Sequence, residues 1–137
     1  MTDIFAARPG DLASLAATIE PLISPAVALN SGRMTSADAL DLVGSGRAQL
    51  WLAADGRDLL GAAIGYPVQY TRRKALCMLY IAGAERERWE APMLEAIERG
   101  ARHIGCDLVE GIGRRGFSRV LPGYRVNGYS FEKDLTA

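Results

Sequence analysis

The stretch LYIAGAERERWEAPMLEAIERG, which spans Leu79–Gly100, contains the strongest pattern in the sequence. Its first residues continue an apolar run that is typical of a buried central strand. After a charged loop, Trp89, Met93 and Ile97 recur at every fourth position, and this spacing places side chains on one face of a helix. The stretch therefore predicts a buried strand that leads through a loop into a helix beginning near Glu90. In many α/β proteins a junction of this type binds phosphate.

Strands and helices alternate along the rest of the chain. Asp55-Gly56 separates two apolar runs, which is a strong signal for a β-hairpin. Pro21 and Pro25 are expected to bend or end the first helix, because proline removes an amide donor. Pro67 is expected to end central pairing or to mark an edge or a bulge. The predicted strands are 3–8, 48–54, 58–70, 75–82, 106–114 and 128–135, and the predicted helices begin near Asp11, Thr35, Glu90 and Arg115.

Length and composition limit the class of protein. A chain of 137 residues with 49% hydrophobic and 23% charged residues is ordinary for one soluble globular domain, here residues 1–137. The 16 basic residues balance 16 acidic ones, so no overall field favours nucleic acid or a membrane. The element order β-α-α-β-β-β-α-β-α-β predicts an α/β (α+β) fold with a mixed central sheet.

Charge is less even near the C-terminus, where four arginines and no acid occur between positions 112 and 126. This group is either a solvated basic face or a site for an anion, such as nucleic acid or an acidic protein surface. Few aromatic residues are interleaved with it, so we do not expect sequence-specific nucleic-acid binding. The four residues are Arg114, Arg115, Arg119 and Arg125.

The cysteines and the N-terminus bear on the cellular compartment. Cys77 and Cys106 lie among apolar residues and are expected to be buried free thiols, which fits a reducing cytoplasm. The N-terminus has acids and a Pro-Gly pair where a signal peptide needs a basic and then an apolar run. No window has 18 uninterrupted apolar residues, and no metal-ligand spacing occurs. We therefore expect a cytoplasmic protein that binds neither a membrane nor a metal.

The order of elements in so short a chain resembles the fold of the GNAT superfamily, the Gcn5-related N-acetyltransferases. LWLAADGRDLLGAAIG resembles the second and third strands of that fold, and CMLYIAGA resembles the fourth. GCDLVEGIGRRGFSRVLPGY, followed by YSFEKDL, is similar to the fifth strand, the last helix, a Gly-aromatic turn and the closing strand. The resemblance implies a mixed central sheet with helices on both faces, acetyl-CoA as the cofactor and transfer of an acetyl group to an amine.

The resemblance also implies where the cofactor would lie. In the family the splayed end of the fourth strand receives the pantetheine arm of acetyl-CoA, which implies Ile81 and Ala82 as binding candidates. The family motif [Q/R]-x-x-G-x-[G/A] falls on residues 86–91, where Arg86 and Ala91 match. Trp89 stands in place of the central glycine, which the motif needs because the backbone must approach a pyrophosphate closely.

The same loop is rich in acids, since Glu85, Glu87 and Glu90 accompany two arginines. A net negative charge beside a dianion opposes the ~0.3–1 kcal/mol that a helix dipole contributes. The sequence therefore predicts a loop that holds CoA poorly. Trp89 has two interpretations: it packs the helix onto the sheet, or it is an exposed aromatic residue that contacts a protein partner.

Two further groups that the resemblance implies are missing. The family's acid tyrosine lies four residues before the Gly-aromatic turn, and that position is Arg119. No asparagine occurs between positions 112 and 118, where many members have one. The replacement candidates are Glu110 as a base, Tyr80 or Tyr124 near the leaving thiolate, and Arg119 as an electrostatic support for an anionic leaving group.

Two functions follow from these observations. We favour a GNAT-shaped protein that has lost catalysis and serves as a protein-binding or structural component. The motifs LWLAADG, GCDLVEGIGRRGFSRVL and EKDL resemble small GNAT-like proteins of tailed bacteriophages, which implies a pseudoenzyme in a virion or its assembly and in the cytoplasm of a bacterial host. The alternative is an N-acetyltransferase that uses acetyl-CoA and an unknown amine.

Overall fold

The computed structural model describes residues 2–30, 32–112, 123–128 and 131–136. These residues form a five-stranded sheet in the order β1-β2-β3-β4-β5, with antiparallel pairing from β1 to β4 and parallel pairing between β4 and β5. The elements are β1 Thr2–Ala7, α1 Leu12–Val27, α2 Ser36–Gly44, β2 Gln49–Asp55, β3 Asp58–Gln69, β4 Lys74–Gly83, α3 Glu90–His103 and β5 Leu108–Gly111, with short 3-10 turns at Pro9–Asp11 and Arg86–Arg88.

Helices cover both faces of the sheet, as expected. One face carries the α1/α2 core, in which Ile19, Ile23 and Val43 pack against Leu50, Leu52 and other sheet residues. The opposite face carries the α3 core, in which Trp89, Met93 and Ile97 pack against the sheet. This arrangement confirms the predicted α/β fold with a mixed central sheet.

The helix α1 continues through both of its prolines, so the expectation that Pro21 or Pro25 would end it is wrong. Proline removes one intrahelical hydrogen bond and crowds the preceding turn, which costs about 3 kcal/mol in a helix interior. Three residues on the apolar face of α1, Ile19, Ile23 and Val27, are nevertheless buried. The burial of that face stabilises the helix more than the prolines disfavour it.

The turns and caps that the sequence predicts are present. Asp55 and Asp58 are partners across a two-residue turn in which Gly56 has a φ of 62°, a value that favours glycine. At the start of α2, the Thr35 hydroxyl accepts from the Asp38 N–H at 3.1 Å, and the Thr35 N–H donates to the Asp38 carboxylate at 2.9 Å. The second bond is the main reason why the pKa of Asp38 lies below its usual value. These local signals were sufficient to locate the elements.

The C-terminal part of the expected fold differs from the structure. The predicted strand at 128–135 is wrong for the residues that the structure describes there, because Gly128 and 131–136 form no strand. Phe131 and Leu135 are 96% and 90% exposed, so apolar burial does not stabilise a strand in this segment. The predicted helix from Arg115 lies outside the described residues.

Replacing Pro21 by alanine is expected to raise the free energy of unfolding by about 1–2 kcal/mol, because an exposed helix position regains its amide donor. Urea denaturation followed by circular dichroism measures the change. The exposed neighbour Glu20→Ala is the control and should shift stability by less than about 0.5 kcal/mol. A Pro21→Ala protein that is less stable than the wild type would contradict this account of α1.

Candidate functional site

The strands β4 and β5 separate halfway along β4. Their pairing covers only Ala75–Met78 of β4, and it ends where Met78 faces Gly111. From Leu79 to Gly83, β4 continues without a strand partner on this side among the described residues. We call this opening the fork. It leaves alternate backbone N–H and C=O groups of β4 available to a ligand.

An irregularity in β4 lies at the mouth of the fork. Ile64 of β3 faces Tyr80, but the next residue, Gly65, faces Met78, so Leu79 is an extra residue in β4. This β-bulge places both Leu79 and Tyr80 against the α1/α2 core. Bulges re-aim backbone groups and end regular pairing. The backbone N–H and C=O groups of β4 are therefore re-aimed at the point where β5 separates from this strand.

The residues that the resemblance implied for the pantetheine arm lie in the fork. Ile81 is partly buried beside the α3 core, and Ala82 is 8% exposed. Both belong to the part of β4 that has no partner on the β5 side among the described residues. Their position fits the expectation, and their contact with a cofactor stays a prediction.

The loop after β4 is shaped by two unusual backbone conformations. Gly83 has a φ of 148°, and a Cβ atom there would collide with the carbonyl oxygen of Leu60. The neighbouring Ala84 N–H donates to that oxygen at 2.8 Å. Glu85 then adopts the left-handed region with a φ of 53°, which is uncommon for a residue other than glycine. Together these residues turn the chain sharply from β4 into α3.

Trp89 points into the protein and not into the loop. Its side chain is fully buried in the α3 core, and its Nε1–H donates to the Ala84 carbonyl at 2.8 Å. The indole covers Gly61 of β3, where an added Cβ would lie 2.6 Å from the ring atom Cε2. The packing interpretation is therefore confirmed, and the exposed, partner-binding interpretation is wrong. The side chain does not occupy the open side of the loop.

The two arginines of the loop already contact carboxylates. Arg88 lies 2.6 Å from Asp55 of the β2–β3 turn and 3.4 Å from Glu85. The contact with Arg88 is the main reason why the pKa of Asp55 lies below its usual value. Arg86 lies 3.6 Å from Glu90, with its guanidinium 5.9 Å from the centre of the Trp89 ring. An anion at this loop would have to compete with these carboxylates for the arginines.

The first turn of α3 offers backbone donors. Trp89 precedes the helix without a side-chain hydrogen bond to cap it, and Ala91 is exposed in the first turn. The first N–H groups of a helix lack intrahelical partners and face anions favourably. The matching motif residues Arg86 and Ala91 thus flank a helix start that could accept phosphate oxygens.

Among the catalytic candidates, Glu110 lies in β5 just before the point where the strands part. It is the partner of Cys77, one residue before the final pair of the two strands. Because Leu76 and Met78 face the α3 core, Cys77 and Glu110 face the opposite side of the sheet. The hydroxyl of Tyr70 donates to Glu110 Oε1 at 2.6 Å.

The two tyrosine candidates differ in position. Tyr80 follows the bulge and is 7% exposed, and its hydroxyl oxygen accepts from Asn30 Nδ2 at 2.8 Å. Tyr124 instead donates to Glu98 Oε2 at 3.3 Å. Glu98 follows Glu90 by eight residues, so Tyr124 contacts α3 at a point ~12 Å along the helix axis from its first residue. Arg119, the remaining candidate, lies outside the described residues.

Both cysteines are free but only partly buried, so the expectation that they are buried is corrected. Burial, together with the nearby charge of Glu110, raises the pKa of the Cys77 thiol. The thiol is therefore protonated at neutral pH and is a poor nucleophile. A mechanism through an acyl-cysteine is not supported by this environment.

Tyr70 and Asn30 are the polar contacts that the sequence did not indicate. Tyr70 is 40 positions from Glu110, and Asn30 is 50 positions from Tyr80. No motif links such pairs, because strand register brings Tyr70 to Glu110 and the packing of α1 on β4 brings Asn30 to Tyr80. Only the position of Tyr70 as the last residue of the predicted strand 58–70 offered a weak signal.

The described part of the chain contains neither a metal-binding cluster nor a membrane-spanning helix. No cluster of histidine, cysteine, aspartate or glutamate there could hold a metal ion. None of the helices in those residues combines the length and the apolar character needed to cross a bilayer.

Comparisons with known proteins identify the fold. No protein-family model matches the chain, and no curated protein matches it. Among solved structures it is similar to a ribosomal-protein-alanine N-acetyltransferase from Brucella melitensis biovar Abortus 2308, with 16% identity, a TM-score of 0.68, and coverage of 99% of this chain and 100% of that one.

Two more structures show the same similarity. An aminoglycoside acetyltransferase from an uncultured soil metagenomic sample, solved with sisomicin, has 14% identity and a TM-score of 0.73, and the match covers 98% of this chain and 97% of that one. A predicted acetyltransferase from Clostridium acetobutylicum, solved with acetyl-CoA, has 10% identity and a TM-score of 0.69, with the same coverage.

The chain therefore has the fold of the GNAT acetyltransferases. The similarity extends over almost the whole of each chain, and it is a similarity of fold, since these three structures are only 10–16% identical to it. The acetyltransferase activities named for these three structures are activities of those proteins.

Packing of Trp89 on Gly61 can be tested by a double-mutant cycle. Gly61→Ala should lower the free energy of unfolding by about 1–3 kcal/mol because its Cβ overlaps the ring, and Trp89→Ala by about 3–5 kcal/mol. In the double variant, Gly61→Ala should add little, since the ring is gone. Chemical denaturation measures all three. Additive costs would show that the two residues are independent.

Gly128→Ala provides a control for the effect of adding a methyl group to glycine. A Cβ at Gly128 has no heavy atom of the described residues within 4 Å, so the substitution should change stability by less than about 0.5 kcal/mol.

Tyr124 should ionise well above the ordinary tyrosine range. Burial first, and then the charge of Glu98, raise the pKa of Tyr124 to about 12. Nuclear magnetic resonance of ring-labelled tyrosine, assigned with Tyr124→Phe, measures this pKa. Glu98→Gln should lower it but leave it above 10, because burial remains. An unchanged pKa in Glu98→Gln would show that the hydrogen bond to Glu98 is absent in solution.

Proposed function

We propose that the protein binds acetyl-CoA in the fork between β4 and β5 and transfers the acetyl group to an amine. The observation that carries this proposal is the separation of the two strands after Met78, at the bulge formed by Leu79. A continuous ladder would leave no backbone group free for a ligand at this place. The fork leaves Leu79–Gly83 free of strand pairing on one side among the described residues.

The chemistry of the pantetheine arm suits this edge. The arm is an extended chain with two amide groups, and an exposed strand edge pairs with such a chain through backbone hydrogen bonds, as in β-augmentation. Ile81 and Ala82 present small or apolar side chains beside it. The thioester would then lie near Leu79, where the bulge re-aims the backbone N–H groups that can stabilise an oxyanion.

The start of α3 is suited to the diphosphate, but the ion pairs of the two loop arginines lower the expected affinity. Trp89 faces the core, so it does not fill the space beside Ala91. Arg86 and Arg88, however, must exchange their contacts with Glu90, Glu85 and Asp55 for contacts with phosphate. We therefore propose weaker binding than a glycine-rich loop would provide.

The reaction needs a base and an acid on the side of the sheet where the amine enters. Glu110 is positioned to take the proton from the attacking amine nitrogen as the new C–N bond forms and the C–S bond breaks. Tyr80 can supply a proton to the leaving thiolate, because its oxygen accepts from Asn30 and its own O–H donates to no group within the described residues. Tyr124 suits this role less well, since its proton is already donated to Glu98.

A second candidate function is binding without catalysis. It is favoured by the four carboxylates, those of Asp55, Glu85, Glu87 and Glu90, that accompany two arginines at the loop. In this case the fold would serve a protein partner, and a role in a phage particle or its assembly stays a prediction from sequence resemblance. Co-sedimentation of the chain with such a particle at fixed stoichiometry would support it.

Binding of acetyl-CoA distinguishes the two functions. A site occupied at a hundredfold excess over its dissociation constant should stabilise the protein by ~2.7 kcal/mol. Isothermal titration calorimetry and thermal unfolding with acetyl-CoA measure this, and release of free CoA thiol with added amines measures transfer. No binding at millimolar acetyl-CoA would overturn the proposed function.

A charge variant makes the test sharper. Glu87→Gln removes an exposed carboxylate from the loop and should tighten acetyl-CoA binding by roughly two- to fivefold. Glu95→Gln removes an exposed carboxylate further along α3 and should leave the affinity almost unchanged. Equal effects of the two substitutions would indicate that the diphosphate does not bind at this loop.

A further inference from the structure

We propose that Tyr70 is a positioning residue for Glu110: its hydroxyl fixes one carboxylate oxygen and leaves the other to act at the fork. The inference rests on the function proposed above and adds a residue to it. It concerns a tyrosine that directly follows β3 and lies 40 positions before Glu110 in the sequence.

The backbone of Tyr70 is fixed on both sides. Its N–H donates to the Arg73 carbonyl at 2.8 Å, which closes the turn between β3 and β4. Its own carbonyl accepts from Gln69 Nε2 at 2.8 Å. With the main chain held in this way, the phenol extends across β4 to reach β5. Its hydroxyl meets Glu110 Oε1 at 2.6 Å.

The contact has the properties of a charge-assisted hydrogen bond. A distance of 2.6 Å is typical of a hydroxyl that donates to a carboxylate. The hydrogen bond to Glu110 is the main reason why the pKa of Tyr70 lies above its usual value, so the phenol keeps its proton at neutral pH. Tyr70 can therefore act as a permanent donor, and only Glu110 changes its protonation during the reaction.

The surroundings of Glu110 allow this assignment. Within the described residues, the titratable groups that face it are Tyr70 from the end of β3 and Cys77 from β4. The Cys77 thiol is also neutral, since its pKa is raised. The arginines at 114, 115 and 119 follow in the chain and lie outside the described residues. Tyr70 is thus the neighbour that the structure shows in contact with this carboxylate.

A comparison of Tyr70→Phe with Tyr66→Phe tests the inference through activity. Both substitutions remove one hydroxyl near the same end of β3, and Tyr66 makes no side-chain hydrogen bond with the described residues. The assay follows CoA thiol released from acetyl-CoA with ethanolamine as the amine. Tyr70→Phe should lower kcat roughly tenfold, leave KM for acetyl-CoA unchanged and move the acidic side of the pH profile to higher pH.

Tyr66→Phe should change none of these quantities. A Tyr70→Phe enzyme with the kcat and pH profile of the wild type would overturn the positioning role, even where acetyl transfer itself is confirmed. If the wild type binds no acetyl-CoA at millimolar concentration, the proposed function fails and the catalytic part of this inference fails with it.

A second measurement tests the contact without any activity. In ring-labelled protein, Glu110→Gln should bring the titration of Tyr70 towards the ordinary tyrosine value, because the accepting charge is removed. The titration of Tyr124, whose pKa is raised by burial and by Glu98, serves as the internal reference and should not move. If Tyr70 titrates identically in the wild type and in Glu110→Gln, the hydrogen bond does not exist in solution and the inference is wrong whatever the enzyme does.

Discussion

The indole of Trp89 on the bare backbone of Gly61 is the contact on which the site depends. The ring lies over β3 only because Gly61 has no side chain. Its Nε1–H then binds the carbonyl of Ala84, which ties the beginning of α3 to the end of β4. One residue therefore fixes the depth at which the helix lies on the sheet and the path of the loop in front of it. The fork and the helix start keep their relative positions as a result.

This contact changes the interpretation of the loop. A tryptophan at a glycine position of a phosphate-binding motif suggests obstruction, but a fully buried ring obstructs nothing on the outer side. What remains unfavourable is electrostatic, since acidic groups accompany both arginines. Electrostatic competition at an exposed loop is weak and is screened by salt. The proposed acetyl-CoA site is therefore expected to bind with reduced affinity.

The sequence was informative wherever the signal was local. Asp55-Gly56 located the hairpin, the Thr35–Asp38 pair located the start of α2, and the four-residue recurrence from Trp89 located α3. The prolines of α1 were misleading, because the burial of Ile23 and its neighbours depends on the sheet that the helix covers. Helix propensity is a local quantity, and here the free energy gained by burying the apolar face of α1 outweighs the low propensity of its prolines.

The candidate site was only partly accessible from the sequence. Glu110, Ile81 and Ala82 could be chosen from their places in strands; the structure places Ile81 and Ala82 in the fork and Glu110 in the pair before the last one between β4 and β5. The bulge at Leu79 and the direction of the Trp89 ring depend on how strands align, which the sequence pattern does not specify. The contact between Tyr70 and Glu110 depends on the same alignment.

The pairing of Arg88 with Asp55 has a mechanical consequence. Asp55 belongs to the turn of the β2–β3 hairpin, so this ion pair fastens the hairpin tip to the loop ahead of α3. A diphosphate that binds the Arg88 guanidinium would weaken this ion pair. Nucleotide binding would therefore affect the hairpin turn, although the nucleotide does not contact that turn. Binding of the nucleotide would then be detectable as faster amide hydrogen exchange around Gly56.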